Sequence, residues 1–288
     1  VDIGLLGALD VTVNGVSIAP TAPKPRQVLA LLALRADQVV PVATLVEELW
    51  AGTPPRSART TLQTYVLQLR ELIAAALHRP AGPGGPGTRS AKDVLTTLPG
   101  GYLLATGGGR SDIREFERLR ELGCRAMDEE NHADASRTLS QALDLWSGPP
   151  FADVSTGAHL AMEARRLEES RLCALDRRIE ADLRLGRHRE LLAELTVLTA
   201  RYRSHENLHA QFMLALHRSG RRGEALEVYR QLRTLLVREL GLEPSARLRR
   251  LQQSILQAAA DAPGPPPHHD DLTRAGAPAG RGPMADFG

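Results

Sequence analysis

Two hydrophobic periods divide the chain. Residues 3–19 read as short strands, and Val11, Val13, Val16 and Ile18 flank Asn14-Gly15. That dipeptide accepts the positive φ angles of a tight turn, so the spacing predicts a hairpin. "PRQVLALLALRA" (25–36) then predicts a helix with Pro25 near its start, "QVVP" (38–41) a short extended piece, and "VATLVEELW" (42–50) a second helix closed by Gly52 and Pro54-Pro55. "PRSARTTLQTYVLQLREL" (55–72) is a third helix, because Leu62, Val66, Leu69 and Ile73 fall on one stripe. Residues 79–93, dense in Gly and Pro, predict a flexible loop. "VLTTLPGGYLLA" (94–105) predicts a β-hairpin around Pro99-Gly100-Gly101, and "TGGGRS" (106–111) a linker.

From Asp112 the period changes to that of helices, over 112–129, 132–147, 157–185, 188–202, 205–218, 222–240 and 245–260. Shifting 181–198 by 34 residues lays it on 215–232, with Ala181/Ala215, Arg184/Arg218, Gly186/Gly220, Arg187/Arg221, Glu190/Glu224, Leu192/Leu226 and Leu198/Leu232 coinciding. Each glycine can take the left-handed conformation that ends one helix and starts the next. Paired helices repeating every 34 residues are a tetratricopeptide signature. The expected domains are 1–106 and 111–260, followed by a tail, 261–288, with no apolar period and the composition of a disordered segment. The fold class is mainly α: an N-terminal winged helix-turn-helix (α+β), then an all-α tetratricopeptide-like domain.

Composition changes this picture little. The 288 residues are 42% hydrophobic and only 3% aromatic, so Leu, Ala and Val must fill the cores. A net charge of +2 is too weak by itself to argue for nucleic acid. The only lysines are Lys24 and Lys92; arginine carries the rest of the positive charge. Cys124 and Cys173 have no metal-ligand spacing, which fits a reducing, cytoplasmic setting. No stretch approaches the roughly 18 apolar residues of a membrane span, and the first residues lack the basic leader and apolar core of a signal peptide.

The candidate chemistry lies on the third helix. Opposite its apolar stripe stand Arg56, Ser57, Thr60, Thr64 and Gln68, with Leu67 beside them, and Arg59, Thr61 and Gln63 lie on the same segment. In a winged helix-turn-helix the third helix enters the major groove and the hairpin wing reaches phosphates or the minor groove. Hydroxyl, amide and guanidinium groups bond phosphates and base edges, whereas carboxylates are repelled by phosphate. Leu67 can meet a thymine methyl. Glu71 is the exception, late in the helix. Lys24 and Arg26 flank the start of the first helix as Arg56 and Arg59 flank the third, which suits phosphate. Any one of these arginines is equally an ordinary surface residue, and the face is equally a solvated one if no wing follows. Tyr102, in the wing, contacts DNA backbone or packs in the core.

These residues also carry a family resemblance. "TLVEELWAGTPPRSARTTLQTYVLQLREL" resembles the DNA-binding half of the Streptomyces antibiotic regulatory protein (SARP) family, and "LTTLPGGYLL" its wing. "ALDLWSGPPFADV" and the helices through "RLRRLQQSIL" are similar to its bacterial transcriptional activation domain, so the likeness covers roughly 1–258. The resemblance implies an OmpR-like winged helix joined to tetratricopeptide-like helices. It implies activation of secondary-metabolite gene clusters by binding direct repeats of double-stranded DNA, as a homodimer on DNA that touches RNA polymerase holoenzyme. The chain departs from the family pattern in its long Gly/Pro loop and in "EENHADA" (129–135), which lacks the glycine that often separates the first two helices of the second domain. Neither a receiver domain nor a Walker lysine motif accompanies the two domains, so aspartyl phosphorylation and nucleotide binding gain no support.

Two motifs mislead. "HENLH" (205–209) satisfies H-E-x-x-H, but a zinc protease would also need a third ligand and a catalytic cleft, and this copy sits at the start of a repeat helix with Ser204 as its expected cap. "GPGGPG" (82–87) matches a dinucleotide fingerprint by spacing alone, after a helix where the fingerprint needs a strand. No nucleophile–base pair or phosphate loop is evident, so an enzyme, a metal and a cofactor are not expected. The competing readings are a tetratricopeptide-type interaction scaffold, which does not need the Thr/Gln/Arg face, and a repressor of the same genes.

Overall fold

The computed structural model describes residues 1–78 and 89–257. The chain opens on a three-stranded antiparallel sheet, β1 (Asp2–Gly4), β2 (Asp10–Val13) and β3 (Val16–Ser17). Asn14 and Gly15 both have positive φ, 50° and 75°, as the tight turn requires. Three helices follow: α1 (Pro23–Leu34), α2 (Val42–Trp50) and α3 (Ala58–Leu77). Between α1 and α2, β4 (Val40–Pro41) pairs with the second strand of the wing, so the extended piece read from "QVVP" belongs to a second three-stranded sheet. The wing is β5 (Leu95–Leu98) and β6 (Gly101–Leu104), turning on Gly100 at φ 81°. A Cβ at Gly101 would lie 2.4 Å from the Val40 carbonyl oxygen, so glycine is needed where β6 crosses β4.

The second half is helical: α5 (Asp112–Asp128), α6 (His132–Asp144), α7 (Ala158–Arg184), α8 (Leu192–Arg201), α9 (Glu206–Arg218), α10 (Arg222–Leu235) and α11 (Ala246–Gln257). A short one-turn helix, α4 (Ala91–Val94), precedes β5. It corrects the flexible loop expected through 93: Ser90 and Asp93 form a reciprocal capping box that orders the end of the Gly/Pro segment. The "GPGGPG" motif and the tail 261–288 lie outside the described residues. Gly186 and Gly220 take φ 81° and 82°, the left-handed stops expected from the repeat. Where "EENHADA" lacks a glycine, Glu130 takes φ 58° itself. The long helix expected over 222–240 changes into a π-helix at Leu236–Leu240, which ends on Gly241 at φ 66°.

One hydrophobic core runs from Ile3 through α1–α3 and the wing into Phe116, Leu139, Leu160 and Leu167. Segment 106–111 therefore joins the two halves without separating their cores. Phe116 meets Trp146 edge-on, centroids 5.2 Å apart, and the Arg171 guanidinium covers the Trp146 ring at 4.8 Å. Two further clusters, under α7–α9 and α9–α11, continue the stack of paired helices.

Candidate nucleic-acid interface

The α3 helix buries one stripe and exposes another. Ala58, Leu62, Val66, Leu69, Ile73 and Ala76 are buried against the core of the first half. Fully burying a Leu, Val or Ile side chain contributes about 1.5–3 kcal/mol, enough to hold the helix in place. The opposite surface carries Arg56, Ser57, Arg59, Thr60, Gln63, Thr64, Leu67 and Gln68, all exposed, with Thr61 half-buried at the edge. Leu67 is 56% exposed and is the apolar member of this face. No acidic residue stands in the first turn, and the Ser57 hydroxyl makes no capping bond, so the positive helix start is left unneutralised. Arg56 and Arg59 take no ion pair among the described residues. The Thr64 hydroxyl donates to the Thr60 carbonyl at 3.1 Å, which leaves its oxygen able to accept.

The wing is fixed to this helix by a residue that the periodicity does not single out. Arg70 donates from Nε and Nη2 to the Leu95 carbonyl (3.0 and 2.8 Å) and from Nη2 to Thr97 Oγ1 (2.8 Å). A planar guanidinium spanning two acceptors sets orientation as well as distance. The tip, Thr97 to Gly100, stays largely exposed beyond that clamp.

Three expected DNA contacts do not join the face. Lys24 is half-buried and donates to the Leu49 carbonyl and to Gln27 Oε1. Arg26 binds the Pro20 carbonyl at 3.0 Å and forms an ion pair with Asp153, which lies in the second half. Tyr102 is 7% exposed and packs in the core between β4 and β5. The alternation of β6 places its ring inward, and the charges of α1 are consumed within the molecule.

The motif "HENLH" is also absorbed by the fold. His205, and not Ser204, is the cap of α9: its Nδ1 accepts from the Leu208 amide at 3.3 Å. His209 is buried, its Nδ1 3.1 Å from the His205 carbonyl oxygen, and desolvation holds it below the ordinary imidazole range. Burial pushes the Cys124 thiol up, away from a reactive thiolate. Among the described residues no group of three or more His, Cys, Asp or Glu is arranged to hold a metal, and no helix is long and apolar enough to cross a membrane.

A winged helix whose exposed α3 face is polar and basic, fused through a common core to tetratricopeptide-like helices, defines a transcription regulator of the two-domain bacterial type. The family model of the transcriptional regulatory protein C-terminal domain matches residues 19–81, and that of the bacterial transcriptional activator domain matches 111–256. Regulatory protein DnrI of Streptomyces peucetius is 55% identical over 256 residues, which cover 89% of this chain and 92% of that protein. Regulatory protein AfsR of Streptomyces coelicolor is 36% identical, over 88% of this chain but only 24% of its own length. The solved structure of Mycobacterium tuberculosis EmbR in complex with low affinity phosphopeptide superposes with a TM-score of 0.79 at 32% identity, over 89% of this chain and 65% of that one. The chain belongs to the Streptomyces antibiotic regulatory protein family and is a transcriptional regulator of that type.

Proposed function

We propose that the protein is a sequence-specific DNA-binding activator of a secondary-metabolite gene cluster, working in the cytoplasm without enzymatic activity. It occupies direct repeats near a promoter as two head-to-tail protomers and recruits RNA polymerase holoenzyme. The observation that carries this reading is the outer face of α3: Arg56 and Arg59, a row of hydroxyl and amide side chains, one exposed leucine, and no carboxylate before Glu71. In this role Thr60, Thr64, Leu67 and Gln68 meet base edges, while Arg56, Ser57, Arg59, Thr61 and Gln63 hold phosphates. Lys24, Arg26 and Tyr102 act from within the fold. The helical domain supplies protomer and polymerase contacts. It offers a groove of about 600 Å³ between α8, α9 and α10, lined by Phe212, Val228, Arg203 and Arg238 among others.

A gel shift at low salt tests DNA binding directly. Retarded duplex whose affinity falls steeply with added salt is expected; no retardation would favour the scaffold reading. Single-round transcription from the bound promoter separates activator from repressor.

A further inference from the structure

A buried carboxylate sits at the joint between the two domains and is used by neither domain alone. Glu48, on α2, is 2% exposed. Its Oε1 accepts from the Gly157 amide at 2.5 Å, and its Oε2 from the His159 and Leu160 amides at 2.8 and 3.2 Å. Those three amides are the start of α7, a 27-residue helix whose own cap position, Gly157, has no side chain and whose first turn holds no acid. Glu48 is thus the N-cap of the longest helix in the neighbouring domain, where its charge also meets the positive helix end. Gln27 of α1, equally buried, donates from Nε2 to both Oε1 (3.1 Å) and the backbone carbonyl of Glu48 (2.8 Å), holding the carboxylate in place.

The fit leaves no slack. A Cβ at Gly157 would lie 2.1 Å from the Glu48 carbonyl oxygen, so only glycine lets α7 start against α2. Two struts flank the cap: Glu47 Oε2 stands 3.1 Å from His159 Nε2, and Asp153 pairs with Arg26 while accepting from the Leu9 amide at 2.7 Å. A carboxylate this buried is costly unless every lone pair is satisfied. Here it is satisfied only when α7 is seated on α2, and α2 packs against the reading helix α3.

We infer that Glu48 is a positioning residue: it locks α3 at a set angle to the helical domain and so dictates which spacing of DNA repeats two protomers can occupy. This rests on the DNA-reading role proposed above. If protomers touch through their helical domains, a rigid joint transmits the spacing of those contacts to the two reading helices. A loosened joint lets each α3 find its repeat independently.

The test is fluorescence anisotropy with the full chain on duplexes bearing one repeat, two repeats in phase, or two repeats with about 5 bp inserted, half a helical turn. The wild type is expected to lose about tenfold or more in affinity on the insertion, because the linked contact can no longer form. Glu48→Gln, which loses the charge and one acceptor, and Gly157→Ala, which displaces α7 from the other side, are expected to bind one repeat within about twofold of wild type and to lose less than about threefold on insertion. Melting curves establish that both are folded. Folded variants with a spacing penalty as steep as the wild type would overturn the inference. Failure of the wild type to bind a single repeat would instead overturn the DNA-reading role. Should both variants fail to fold, spin labels at Leu67→Cys and Val197→Cys, with Cys124 and Cys173 replaced by Ser, report the joint in an otherwise native chain. One narrow distance distribution is expected; a broad one contradicts a locked angle.

Discussion

The starts of α1 and α3 look alike on paper and do opposite things. Each carries two basic residues beside a helix N-terminus, Lys24 and Arg26 at one, Arg56 and Arg59 at the other. At α1 both charges turn inward: Arg26 reaches Asp153, 127 residues away in sequence, and Lys24 closes on the end of α2. At α3 both stay in solvent beside an uncapped helix start, next to a face without acids. The lesson is physical. A basic residue near a helix start is available to phosphate only if no carboxylate or carbonyl of the same chain has claimed it, and that claim is made by tertiary structure.

Removing the inward arginine is expected to have the largest effect on stability. Arg26→Ala strips hydrogen bonds from Asp153 and the Pro20 carbonyl and should cost about 2 kcal/mol of stability, since bonds to charged groups contribute about 1.5–3 kcal/mol. A denaturant titration reads this, and affinity of the folded fraction for a duplex bearing one repeat should be unchanged. A variant as stable as wild type but weak on DNA would erase the distinction between the two helix starts.

The residues proposed to face bases come next. Gln68→Ala or Thr64→Ala should relax sequence choice by about 1–3 kcal/mol at one base pair and leave binding to random DNA nearly intact. Competition binding against a library of operator variants measures it. Arg56→Ala should instead weaken all DNA similarly and flatten the slope of log K against log salt by about 0.9, with stability within about 0.5 kcal/mol of wild type. Equal losses on specific and random DNA for all three variants would mean that α3 does not divide into reading and holding positions.

The same contrast explains how much was legible beforehand. Helix α2 was readable to its ends, and the left-handed turns at Gly186 and Gly220 followed from the 34-residue repeat, because both depend on neighbours in sequence. The buried and exposed stripes of α3 were readable for the same reason. Arg70, Glu48 and Arg26 were not, because the partners that fix their roles, Leu95, Leu160 and Asp153, lie 25, 112 and 127 residues away. Tyr102 was ambiguous until its pairing with Val40 and Thr97 placed its ring in the core. The cap of α9 was misplaced by one residue because histidine rarely caps, yet His205 Nδ1 does so here. The turn between α5 and α6 gives the smallest prediction. Glu130 holds a positive φ without being glycine, so Glu130→Gly should stabilise the protein by about 0.5–1 kcal/mol, read as a small rise in melting temperature.

The central claim, that the α3 face reads DNA, is tested most directly by footprinting the promoters of the gene cluster that encodes the protein. The account predicts two protected direct repeats in the same orientation, separated by one or more whole helical turns, with protection weakened at the same central bases of both repeats when Gln68 is replaced by Ala. An absence of protected repeats at every promoter in that cluster would contradict it.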